Sequence, residues 1–229
     1  MKFATFSFRR SILAAVLSLS LLATAALAGP PLICHAFEID GASSLPWISH
    51  DWNLSGSEKY DTSKLAADTI AILDSTQTAL VHMETLRRAT LYARKDRMAA
   101  KQLITRLVAR AEASKSSPQP NALAIFDAGY LAEAYKQWLG EQDNPAQKFD
   151  GYALVQLALQ LRGNDPQMEF AAALIAVGKP AINAEDHAQK AIAGAKNDPL
   201  LARNLSERFL GAQSETLAAM ISRTKTAKE

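Results

Sequence analysis

Apolar residues recur at helical spacing through most of this chain, and the clearest stretch is 77–113. Here QTALVHMETLRRATLYAR and DRMAAKQLITRLVARAEA form two patterns joined at Lys95-Asp96, with no Gly or Pro between them. The second puts Ala100, Leu103, Ile104, Leu107 and Ala111 on one face; the first does the same with Ala79, Met83, Leu86 and Ala93, Thr90 in line. That spacing lets a helix bury one side, so the stretch predicts a helical hairpin. Two helices cannot bury both apolar faces alone, and further helices are expected to stack on them.

The flanking sequence continues the pattern. Asp61 or Thr62 can cap a helix carrying Leu65, Ile70, Ile72 and Leu73, and Asp74-Ser75-Thr76 offers a stop and a new cap. SKSSPQP at 114–120 breaks the helices, since neither Pro118 nor Pro120 can continue one. Residues 121–139 are apolar nearly all round, which predicts a helix buried on several sides. Residues 140–145 turn the chain, 149–161 supply another helix, and Gly163 ends it. Asn-Asp-Pro then occurs twice, at 164–166 and 197–199, with helical patterns at 167–177 and 184–195 between. In each junction Asp can accept from first-turn amides, and Pro suits the next position because its missing N–H would have had no helical partner. A last amphipathic pattern runs over 200–221. The predicted fold class is all-α, with about seven to nine helices in antiparallel pairs over 60–223 and a polar tail at 224–229.

The period of the two junctions, the junctions themselves and the Gly129-Tyr130 pair among small and bulky residues resemble tetratricopeptide-like helical repeat proteins over residues 62–210. The early Trp and the regular Leu-Gly-Tyr spacing of that pattern are absent from the other units. The resemblance implies stacked antiparallel hairpins, as a short TPR-like solenoid or a compact helical bundle. It also implies binding of a protein or peptide in a groove rather than catalysis, and it carries over no binding residue.

Residues 1–28 read differently: Lys2, Arg9 and Arg10, an apolar run from Ile12 to Leu22, then Ala26-Leu27-Ala28 before Gly29. This is the pattern of a secretory signal peptide cleaved after Ala28, its apolar run being too short for a membrane span. It predicts an exported protein, periplasmic or secreted, with no transmembrane helix in the mature chain. The charge balance changes accordingly. The full chain has 25 Lys+Arg against 23 Asp+Glu, and removing the three basic residues of the signal leaves it close to neutral, which gives no indication of nucleic-acid binding. A single cysteine excludes an internal disulfide.

Residues 29–59 form an irregular segment rich in Pro, Gly and Trp. Its Ile33, Phe37, Ile39, Trp47, Ile48 and Trp52 are more apolar than a disordered tail would carry. The segment is expected to dock on the helical body, either plugging gaps or presenting a binding site made of Cys34, His35, Trp47, His50, Asp51 and Trp52. Cys34, His35 and His50 lack the close ligand pairs of structural zinc sites, and Pro31 stands where a C-x-x-C-H haem motif needs cysteine. No cofactor or metal is therefore assigned. The other notable cluster is basic: Arg87, Arg88, Arg94, Lys95, Arg97, Lys101, Arg106 and Arg110, with Asp96 the only acid between 87 and 110. It reads either as a solvated helix surface or as a patch for an anionic partner.

No phosphate loop, H-E-x-x-H or nucleophile elbow is present, and His35, His50, His82 and His187 are scattered. The expectation is a non-catalytic protein or peptide interaction scaffold in the cell envelope. The alternatives are a small-ligand or metal-binding protein using Cys34, His35 and His50, and an enzyme without a recognisable motif.

Overall fold

The computed structural model describes residues 30–49, 53–177 and 179–210, with side chains as far as 206. Residues 1–29, which hold the expected signal sequence, and His50, Asp51, Trp52 and the chain beyond 210 lie outside the described residues. Among those described there are eight α-helices and no strand: α1 (Leu65–Asp74), α2 (Ala79–Ala93), α3 (Arg97–Lys115), α4 (Ala122–Trp138), α5 (Gly151–Arg162), α6 (Pro166–Ala176), α7 (Ala184–Gly194) and α8 (Pro199–Leu210). Short 3-10 turns precede α1 and α8.

Local chemistry sets the helix ends. Asp96, Asn121, Asp150 and Asn183 each accept from an amide in the first turn of the helix that follows, and Asp165 accepts from both Gln167 and Met168 with Pro166 behind it. Gly163 closes α5 in the left-handed region, at φ 72°. Asp198 accepts from the Leu201 amide in the same way at the second Asn-Asp-Pro junction.

The helix around which the others pack is α2. All of its 15 residues except Arg88 are buried. It lies mainly against α4, then α1, with α6 also in contact, whereas α3 packs along α4 and α1 and only lightly on α2. The hairpin expected over 77–113 is thus covalently present but is not a closely packed pair. The reason lies in the two helices: α2 buries nearly its whole circumference and needs several neighbours, while α3 has a single apolar stripe, which α4 covers. In α4 every residue from Leu123 to Tyr135 is buried. The closest helix pairs are α4 with α5 and α6 with α7.

Residues 30–49 form no helix and run as a strap over this body. Leu32, Ile33, Phe37 and Leu45 enter the core, Trp47 packs against it, and the Phe37 ring meets Phe170 of α6 edge-on at 6.0 Å between centroids. The strap touches α4 through the Leu32 amide and Gln137, and α8 through Glu38 and Asn204, which exchange two hydrogen bonds of 3.0 Å. No helix among the described residues is long and apolar enough to cross a membrane.

Where α4 crosses α5 the backbones nearly touch. A Cβ on Gly129 would stand 2.6 Å from the Gly151 carbonyl oxygen, and one on Gly151 would stand 2.4 Å from that of Gly129. Only glycine fits at either place. We expect Gly129→Ala to cost about 2 kcal/mol by forcing the two helices apart. Urea denaturation would measure this, and a loss under about 0.5 kcal/mol would show that the crossing is loose.

Candidate functional site

Three polar constellations emerge from the fold, and two of them are buried. The first joins the strap to α2. Glu84 and Arg87, one turn apart, are both wholly inaccessible: Arg87 donates from Nε to Glu84 Oε2 at 2.7 Å and from Nη2 to Oε1 at 2.9 Å. Arg88 Nε adds a bond to Oε1 at 2.7 Å. The strap supplies the rest. The Phe37 amide donates to Glu84 Oε2 at 2.9 Å, while the Ile33 and Leu45 carbonyls accept from Arg87 and Arg88 at 3.2 and 2.7 Å. The Trp47 ring lies under both guanidiniums, 4.4 Å from that of Arg87 and 5.4 Å from that of Arg88. Tyr92 donates to the Pro46 carbonyl, and Ser44 bonds Thr85 at 3.0 Å.

The second constellation comprises two histidine–carboxylate pairs whose histidines stand in the sequence only as scattered residues. His82 Nδ1 of α2 lies 2.6 Å from Asp127 of α4, and its Nε2 is 3.2 Å from the Thr76 carbonyl. Burial opposes the charged imidazole, but the Asp127 charge and the hydrogen bonds more than offset it, so the His82 pKa is raised. Burial also raises that of Asp127, with His82 offsetting it only in part. On the other side of the body, His187 Nδ1 of α7 is 2.5 Å from the buried Glu169 of α6, and its Nε2 is 2.7 Å from the Tyr152 hydroxyl of α5. Burial and then the Glu169 charge push the Tyr152 phenol up, the opposite of what an activated nucleophile requires. Near Tyr152 a cleft of about 540 Å³ contains Glu133, held by Lys136 at 2.8 Å and Lys179 at 2.5 Å and accepting from the Gly151 amide at 3.1 Å. These chains of partners close on themselves, tying α4, α5, α6 and α7 together.

The third constellation is exposed and flanks the turn between α2 and α3. On one side a groove of about 730 Å³ follows α3, lined by Met98, Lys101, Gln102, Thr105 and Arg106 with Ser63, Asp96 and Ala99. On the other a groove of about 400 Å³ has Leu54, Leu91 and Trp138 among its walls, with Arg94, Lys95, Glu58, Asn53 and Ser55. The Arg94 guanidinium stacks 4.4 Å from the Trp138 ring centroid. Arg97 donates to the Leu139 carbonyl at 2.6 Å, a cation satisfying the C-terminal end of α4.

The basic run is therefore divided. Arg87 is buried and forms no part of any surface patch, because Glu84, three residues earlier, and the strap carbonyls draw it inward. Arg88 is half-buried on the same network, and Arg110 forks onto Asp74. Arg94, Lys95, Arg97, Lys101 and Arg106 stay exposed. The strap residues also separate. Cys34 is half-buried, His35 is exposed, and Trp47 is engaged with the arginines, while His50, Asp51 and Trp52 lie outside the described residues. Among the described residues no group of three or more His, Cys, Asp or Glu is placed to hold a metal ion. One signal pointed to Glu84: it is the sole acid in α2, one turn before two arginines.

Two outcomes follow from the buried groups. Glu84→Gln leaves Arg87 in the interior without its counter-charge and should cost about 3 kcal/mol in denaturant unfolding; a loss below about 1 kcal/mol would mean that the pair is dispensable. For His82 the folded pKa lies above the unfolded value of about 6.5. Its contribution is thus fully present below that pH and is lost as pH rises through the folded pKa. Thermal melts should fall as pH rises above about 6.5, and His82→Gln should flatten that limb. An unchanged slope in the variant would assign the limb to another group.

Comparison with known proteins finds no matching family model, curated protein or solved structure.

Proposed function

We propose that this protein is an exported, non-catalytic interaction scaffold of the cell envelope, periplasmic or secreted, which holds a partner protein or peptide in the grooves beside the turn between α2 and α3. The observation that carries this reading is a contrast in how side chains are used. Glu84, Arg87, His82, Asp127, Glu169, His187 and Glu133 are each matched by an internal partner, and their interactions support the fold. The two grooves bring together apolar side chains and cations that make no ion pair among the described residues. That combination suits recognition. The closely packed pairs α4/α5 and α6/α7, with the repeated Asn-Asp-Pro junction, support TPR-like hairpins as the building unit.

A photo-crosslinking residue at Gln102, exposed in the α3 groove, should capture a discrete partner in the envelope of the exporting cell, and one at the exposed Gln160 of α5 should not. Equal capture from both positions, or from neither, would overturn the scaffold reading. N-terminal sequencing of the exported form should begin at Gly29, and a chain starting at a diacylated Cys34 would replace the proposed cleavage with a lipid anchor.

A further inference from the structure

We infer that His82 is a proton-operated latch on the turn between α1 and α2. With two protons it ties Thr76 to Asp127, and loss of one releases the turn while the rest of the fold holds. The observation that carries this is the supply of donors. His82 Nδ1 faces Asp127 Oδ1 at 2.6 Å, and Nε2 faces the Thr76 carbonyl at 3.2 Å. A carbonyl and an ionised carboxylate only accept, and a neutral imidazole carries a single N–H. Both contacts are therefore made only when one proton sits on Nε2 and another lies between Nδ1 and Asp127. The other histidine pair is built differently. His187 Nδ1 faces Glu169, but its Nε2 faces the Tyr152 hydroxyl and the Gln156 amide nitrogen, both able to donate, so a single proton on Nδ1 satisfies every contact.

Once a proton is lost, the remaining N–H of His82 can serve one acceptor. Asp127 is buried, charged and the nearer of the two, so a ring lone pair set against it costs more than one set against the carbonyl of a half-buried residue. The N–H stays with Asp127 and Thr76 loses its donor. Little else holds the turn. Ser75 and Gln77 are exposed, and Thr78 begins α2 without a side-chain capping bond. Its ties to other helices are Arg162 on the Gln77 carbonyl at 2.8 Å and, at the start of α2, Gln167 on the Leu80 amide at 3.0 Å.

The charges that face His82 from neighbouring helices are Asp127 of α4, Asp74 at the end of α1, which Arg110 of α3 engages, and Arg162 of α5. Burial and Arg162 oppose the second proton, and Asp127 with the hydrogen bonds outweighs them. The latch is thus closed at low pH and opens as pH rises through the raised folded pKa of His82. A chain exported as proposed above meets the pH of its surroundings, and such a latch responds to it.

NMR of the ring nitrogens in the mature full chain tests the proton assignment directly. Below the transition His82 Nε2 should carry a proton, and above it the only ring proton should be on Nδ1. Hydrogen exchange, corrected for the intrinsic effect of pH, should show protection of the Thr78 and Val81 amides falling about tenfold or more across the same interval, while protection in the middle of α6 is kept. In Asp127→Asn the side-chain amide can donate to Nδ1, so a neutral His82 with its proton on Nε2 holds Thr76 at every pH, and the fall in protection should vanish. An unprotonated Nε2 below the transition, turn protection unchanged across it, loss of protection in step throughout the chain, or a fall that persists in Asp127→Asn would each overturn the inference. Should Asp127→Asn fail to fold, the spectra and exchange of the unaltered chain decide alone.

Discussion

Glu84 and Arg87 sit where water does not reach, one turn apart on a helix buried at every position but Arg88, and much of the remaining architecture can be derived from satisfying them. A buried carboxylate has several lone-pair sites and a guanidinium five N–H donors, too many for one pair to saturate. The excess has to be met by backbone groups that are not already bonded within a helix. Residues 30–49 provide them because they are irregular: the Phe37 amide and the Ile33 and Leu45 carbonyls are available only where no helical ladder consumes them. A helical strap could not perform this task. The pair need not add net stability to fix the strap, since an ion pair in the interior is penalised heavily for any partner left unmatched, and that penalty selects one register of the strap over others.

The strap also explains why contacts reach beyond neighbouring helices. In a one-dimensional stack each unit touches only the next. Here α2 meets α6, and the strap, bound to α2, pairs Glu38 with Asn204 of α8. The two Asn-Asp-Pro junctions are joined as well. Gln167, in the first turn after the first junction, donates to Asp198 of the second at 2.6 Å and accepts from the Leu80 amide at the start of α2 at 3.0 Å. The N-termini of α2, α6 and α8 thereby converge on one side chain, so the repeat in the sequence corresponds to a junction in space.

What could be read from the chain was whatever depends on local chemistry. Caps such as Asp96, Asn121, Asp150 and Asp165, and the stop at Gly163, act within a few residues, and apolar periodicity reports burial directly. Pairing partners were less legible, because a helix apolar on most sides does not say which neighbour takes which side; hence α3 settles on α4 and not on α2. Arg87 was misplaced for a different reason. Arginine on a helix reads as surface by default, and only the long-range meeting with the strap makes its burial possible. His187 with Tyr152 and Glu169 drawn from three helices has no sequence signature, since the residues lie far apart in the chain.

The same accounting locates the surface available to a partner. A charge that ties two elements together is removed from recognition, because releasing it would leave a buried counter-charge unmatched. Arg87, Arg88, Lys136 and Lys179 are committed in that way to Glu84 or to Glu133, and Arg110 forks onto the exposed Asp74 of α1. Arg94, Lys95, Lys101 and Arg106 make no ion pair among the described residues, and α3 is held from one side, by α1 and α4, with its cap at Asp96 tied to Thr62. A peripheral helix fixed at its cap and along one stripe can meet a ligand without disturbing the interior. The charge proposed to face a partner therefore falls on a helix that packs only lightly on α2.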